Sequence, residues 1–86
     1  MKFATTIRFG NHEKFAGDRP GHREYLTGLE EQGKLFASGP LKDDSSALIF
    51  YEAGLIVEAQ AMLDTDPFRE AGVFQTWIMK PWRQVL

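Results

Sequence analysis

The chain has 86 residues, 43% of them hydrophobic and 26% charged, with no cysteine and a net charge of −2. Its length suits a single domain over residues 1–86, and its apolar content excludes a disordered chain. Near balance of Lys and Arg against Asp and Glu excludes the basic stripe that neutralises nucleic-acid phosphates, and the lack of Cys excludes disulfides, thiolate catalysis and thiolate metal sites. The first eight residues are too short and polar for a signal segment, and no apolar run approaches the ~18 residues of a membrane span. The expectation is a soluble cytoplasmic protein with neither nucleic acid nor membrane as partner.

Lys2 to Phe9 alternates around Phe3, Thr5, Ile7 and Phe9 and reads as a strand ended by Gly10. The segment Asn11 to Asp18 is polar and turn-rich apart from Phe15. Asp18 before Arg19-Pro20 has the form of an N-cap followed by an early helical proline, so a helix is predicted from about Pro20 to Gln32, stopped by Gly33. Leu35 to Ser38 is a short strand closed by Gly39-Pro40. The polar run Lys42 to Ser46 makes a hairpin connection to an antiparallel strand, Ala47 to Tyr51. From Leu55 or Ile56 to Asp64 the pattern is helical, with Ala59, Met62 and Leu63 on one face, until Asp66-Pro67 breaks it. Pro67 to Ala71 has room for a short turn ended by Gly72, and Val73 to Met79 is a final strand before an irregular tail.

The order β-α-β-β-α-β with short strands is that of an α+β, ferredoxin-like fold, a four-stranded antiparallel sheet with both helices on one face. Such a sheet alternates apolar and polar residues when its second face meets water. Ala47 to Tyr51 is instead apolar on both faces, and the last strand carries Phe74 and Ile78 on one side and Val73, Trp77 and Met79 on the other. Either a second copy of the sheet covers that face, giving a homodimer, or the tail with Trp82 folds over it.

On the first helix His22, Tyr25, Leu26 and Leu29 recur at i, i+3, i+4 and i+7, which puts an imidazole on the apolar stripe, with Arg23, Glu24, Glu30 and Glu31 toward solvent. Asp66 lies three and four residues beyond Leu63 and Met62 and projects toward the same sheet face. A carboxylate beside imidazole favours the imidazolium, or fixes the neutral tautomer by accepting one N–H and leaves the other nitrogen for general acid–base work. The structural alternative stays open for both: His22 as a satisfied rim residue, Asp66 as an N-cap before proline. His12, in the polar segment, reads as solvated, and His12, His22 and Asp66 lack a metal-ligand spacing. Asp43-Asp44 reads as a solvated hairpin tip, and Ser38, Ser45 and Ser46 have no nucleophile context; Gly39-Pro40 is a turn device at a strand end where a pocket could open. Tyr25, Phe36, Phe50 and Trp77 read as core.

Arg19-Pro20-Gly21-His22 with Leu26 and Leu29, Gly33-Lys34-Leu35, Ala37-Ser38-Gly39-Pro40, Glu58-Ala59-Gln60-Ala61, Asp64-Thr65-Asp66-Pro67-Phe68, Ala71-Gly72-Val73 and Lys80-Pro81-Trp82 together resemble the YCII family. The resemblance implies a ferredoxin-like subunit that pairs into a dimeric α/β barrel, with a histidine and an aspartate as active-site dyad at the positions of His22 and Asp66. One branch of the family is similar to a dehydrochlorinase acting on chlorinated hydroxyquinol, and the wider fold includes muconolactone isomerase. Two departures bear on the pocket: the hairpin after Gly39-Pro40 is shorter than in the best-known members, and the second helix opens on apolar Leu55-Ile56-Val57. The implied function is a cofactor-independent enzyme of lyase or isomerase type acting on a small molecule through His22 and Asp66. The alternative is a non-catalytic small-ligand-binding or interaction module with the same dimeric fold.

Overall fold

The computed structural model describes residues 1–10 and 12–86, the His12 side chain excepted, so the expectation of a solvated His12 lies outside it. The described residues form β1 (Lys2–Phe9), a 3₁₀ turn (His12–Lys14), α1 (Phe15–Glu31), β2 (Leu35–Pro40), β3 (Ser46–Glu52), α2 (Ile56–Thr65), a four-residue α3 (Pro67–Glu70) and β4 (Phe74–Trp82). The strands lie in the order β2-β3-β1-β4, each antiparallel to its neighbours, which is the ferredoxin-like arrangement expected from the element order.

Alternation decides which face is buried. Phe3, Thr5 and Ile7 of β1 and Ala47, Ile49 and Tyr51 of β3 point to the helices and are buried, and Leu26, Leu29, Ala59 and Leu63 come down onto them. On β4, Trp77 and Met79 pack against the same core, and the Trp77 indole N–H donates to Gln60 Oε1 at 3.3 Å, tying the strand to α2. The turn after α1 is set by Gly33, whose φ of 74° permits the paired bonds Gly33 N–H to Glu30 O and Lys34 N–H to Leu29 O that satisfy the last carbonyls.

Three boundaries differ from the sequence reading by two residues or more. The first helix starts at Phe15 rather than Pro20, and Asp18 lies in its first turn instead of capping it. The extra turn is held by packing: Phe15 meets Phe9 edge-on at 5.0 Å and Phe68 at 5.3 Å, and this outweighs the one backbone bond that Pro20 cannot donate. Strands β2 and β4 run on through Pro40 and Trp82, because both are edge strands, where a proline's missing N–H is tolerated. Opposite Arg8 and Phe9 of β1, which pair with Thr76 and Phe74, β4 carries Gln75 as an extra residue, so Phe74 turns into the core with Trp77 and Met79 while Ile78 faces away.

The face away from the helices is apolar. A bulge in β2 between Leu35 and Ala37 places Phe36 beside Phe50 and Trp82, with ring centroids 6.2 and 6.3 Å away, and Trp82 lies 5.0 Å from Phe50. The end of the chain thus shelters Phe50, but Leu48 and Ile78 remain 37% and 64% exposed.

Two buried hydroxyls, Thr5 Oγ1 and Tyr51 Oη, have no hydrogen-bond partner among the described residues. Burial pushes the Tyr51 phenol well above its usual range, and the nearby Asp66 charge adds to this. An unpaired buried hydroxyl costs about 1–3 kcal/mol. Tyr51→Phe should therefore unfold at the same or a higher denaturant concentration than wild type; a loss above about 1 kcal/mol would mean that the hydroxyl is engaged.

Candidate functional site

The site is built around the junction of α2 and α3. Pro67 disfavours helical backbone at the residue before it, so Asp66 leaves α2 with φ −64° and ψ 132° while Pro67 starts α3. That break turns the Asp66 carboxylate inward, where it has no exposed surface. Its Oδ1 accepts from the Phe68 N–H at 2.9 Å, an N-cap bond. Asp66 thus reaches the side of the sheet expected for it, but from an extended cap and not as a continuation of the α2 stripe.

His22 arrives from α1. Its Nδ1 lies 2.9 Å from Asp66 Oδ1 and 2.8 Å from Oδ2, and its ring stacks on Phe68 at 4.0 Å and 10°, with the Phe74 ring edge-on at 5.9 Å. An ionised carboxylate only accepts, so Nδ1–H is the donor and the neutral ring carries its lone pair on Nε2. One turn further along α1, the Tyr25 hydroxyl donates to Met62 O at 2.8 Å. Its pKa is raised, first by burial and then by the charge of Asp66.

A cavity of about 360 Å³ opens beside His22, between the first half of α1 and the β2–β3 hairpin. Phe9, Phe15, Leu26, Ile49 and Phe68 supply apolar walls, and Arg19, Arg23, Ser38 and Asp44 supply polar groups. Gly39 and Pro40 line it too, at the strand end where the sequence suggested an opening. Asp43 does serve the hairpin tip: its Oδ1 accepts from the Ser45 N–H at 3.0 Å and from Ser45 Oγ at 2.7 Å, bonds that hold its carboxyl below the usual range. Among the described residues no group of three or more His, Cys, Asp or Glu is placed to hold a metal ion. The arginines were missed by the sequence reading, which sent Arg23 to solvent and gave Arg19 no role; their signal is two basic residues four apart around His22.

The model of the YCII-related domain matches residues 1–83. The chain belongs to the YCII-related family. Among curated relatives it is similar to Protein YciI of Escherichia coli O6:H1 (strain CFT073) and Protein YciI of Shigella flexneri, each 34% identical with 85% of both chains covered. Among solved structures it is similar to 5-chloro-2-hydroxyhydroquinone dehydrochlorinase (TftG) from Burkholderia phenoliruptrix AC1100 in complex with 2,5-dihydroxybenzoquinone, with a TM-score of 0.82, 96% of this chain and 94% of that one covered, and 23% identity. At that identity the likeness speaks for the YCII-like fold. The family resemblance and the α+β fold read from the sequence are both borne out.

Two variants separate the roles of Asp66. Asp66→Asn retains an oxygen for the Phe68 N–H but removes the charge facing His22, whereas Asp66→Ala removes both. The Ala variant should be less stable than the Asn variant by about 1 kcal/mol in urea unfolding, the usual worth of an N-cap; equal stabilities would leave the cap bond without energetic weight.

Proposed function

We propose that this protein is a cofactor-independent enzyme acting on a small molecule by proton transfer, of lyase or isomerase type, with His22 and Asp66 as its catalytic pair. The observation that carries the reading is the double approach of His22 Nδ1 to a fully buried carboxylate beside a cavity of single-ring size. Nε2 takes a proton from the substrate as general base, and Asp66 holds the tautomer and stabilises the imidazolium that forms. In an isomerisation the imidazolium returns the proton to a second atom of the substrate. In an elimination the C–H electron pair becomes the new double bond, a leaving group departs with its own pair, and the ring gives its proton to water. The activity in the name of the similar dehydrochlorinase supports this class of chemistry. Among the described residues no helix is long and apolar enough to cross a membrane, and the lack of cysteine fits action in a reducing cytoplasm.

His22→Ala should lower turnover by about 10²- to 10⁴-fold, the usual worth of a general base, while the far-UV circular dichroism stays that of wild type. Undiminished turnover in that variant would sink the mechanism. His22→Asn adds a control, since a purely structural pair would show lower melting temperature with unchanged activity.

The same reading includes a homodimer made by the open sheet faces, on which Leu48 and Ile78 lie exposed beside Phe36 and Trp82. Equilibrium sedimentation should give twice the 9.8 kDa chain mass for wild type and a single chain for Ile78→Lys. A wild-type protein that stays at one chain mass as concentration rises would rule the dimer out.

A further inference from the structure

The charge of the cavity wall carries more information than its shape. Arg19 and Arg23 stand one turn apart on α1, flanking His22, and both line the same cavity. Among the described residues neither guanidinium has a carboxylate partner: the ion pairs join Met1 and Lys2 to Glu52, His22 to Asp66 and Arg69 to Asp64. Arg19 lies over the Phe15 ring, its guanidinium carbon 4.5 Å from the centroid, so an aromatic face helps to hold its fork in place. Facing them at the mouth is one carboxylate, Asp44, in no ion pair among the described residues. The charge of Asp66 lies beneath the imidazole and is already shared with Nδ1. Two uncommitted cations against one exposed carboxylate leave the cavity selective for negative charge.

The walls narrow the class. Phe9, Phe15 and Phe68 offer aromatic surface, and about 360 Å³ lies at the small end of ligand pockets, so a single ring suits it better than an inorganic anion or a nucleotide. Planar guanidinium forks match a carboxylate or an enolate oxygen pair. There is also a chemical reason for cations in this place. Removal of a proton by Nε2 leaves the substrate's electron pair as developing enolate charge, and a guanidinium already in position stabilises it without reorganising.

We propose that the ligand of this cavity is a small planar organic anion, a ring bearing a carboxylate or an acidic ring enolate, whose charge is taken by Arg19 and Arg23. The assignment rests on the proton-transfer reading of His22 for the placement of the reacting atom, but the recognition of charge stands on the arginines alone.

The test is calorimetric titration of the intact protein with matched probes: benzoate against its neutral isostere benzamide, and 2,5-dihydroxybenzoquinone against its neutral dimethyl ether. Wild type should bind at least one anion about tenfold more tightly than its neutral counterpart, as expected of charge-assisted bonds, and added salt should weaken that preference. In Arg19→Gln/Arg23→Gln the preference should fall to nearly one, with circular dichroism unchanged and melting temperature lowered by no more than loss of the Arg19–Phe15 contact allows, because neither guanidinium is spent on a fold contact with a carboxylate among the described residues. Preference for benzoate alone assigns a carboxylate; preference for the quinone alone assigns a ring enolate. No preference in wild type, no binding of either anion, or a preference that survives in the double glutamine variant would overturn the assignment. His22→Asn separates the two ideas, since it should keep the anion preference while losing turnover. Turnover lost in His22 variants with no anion preference anywhere leaves proton transfer standing without this ligand class. Anion preference lost only in the arginine variants, with turnover intact in His22→Ala, does the reverse.

Discussion

The molecule is organised around a carboxylate that water cannot reach. Removing an ion of this size from water costs several kcal/mol even after relaxation, so Asp66 is tolerable only if its oxygens are well matched. The match comes from two directions: the Phe68 N–H at the start of α3, and the His22 ring from the first half of α1. Those contacts require α1 to pass directly over the α2–α3 junction, and the stacking of His22 on Phe68 then continues the contact into the apolar core at Phe74. Helix placement, ring orientation and the position of the cavity are therefore consequences of satisfying one buried charge.

That pair is a poor device for stability alone. A cap for α3 needs only an oxygen, which Asn or Ser would supply, and a well-packed apolar pair would often be as stable as a buried ion pair or more so. What a His–Asp pair supplies and those replacements do not is an imidazole with one nitrogen committed to a buried carboxylate, on a residue that also lines a cavity. The structural and chemical readings of Asp66 that the sequence left open are consequently compatible: the same carboxylate caps a helix and directs a ring.

How far the sequence was legible depended on the range of the forces involved. Alternation, stop signals and the Asp66-Pro67 break are local, and they were sufficient for the element order, the antiparallel hairpin and the side of the sheet on which His22 and Asp66 meet. The start of α1 was misread because a proline at position 20 is a strong local signal, whereas Phe15 is held by Phe9 and Phe68, residues six and fifty-three positions away in opposite directions. Phe74 was put on the wrong face because period-2 counting carries through a bulge that only strand pairing reveals. Arg23 was sent to solvent by helical periodicity, correctly for its own exposure, yet the β2–β3 hairpin comes up beside it and turns that edge of the helix into a cavity wall.

The cavity and the open sheet face lie on opposite sides of the sheet, and this division has a consequence for how the family fold can diversify. His22 and Asp66 belong to the packed layer of helices, where any shift of backbone disturbs a buried charge, and they meet within one chain. The mouth belongs to the hairpin, where Asp44 adopts φ 60° at an exposed tip, a conformation that Asp tolerates better than most residues. Changing the length or charge of that hairpin alters the mouth of the cavity without touching the contacts that orient the His22 ring. The short hairpin of this chain leaves Asp44 as the one negative group at the mouth among the described lining residues, against two arginines on the helix that faces it. The mouth is thus built from exposed residues, and the His22–Asp66 contact is anchored by a carboxylate that the core cannot release.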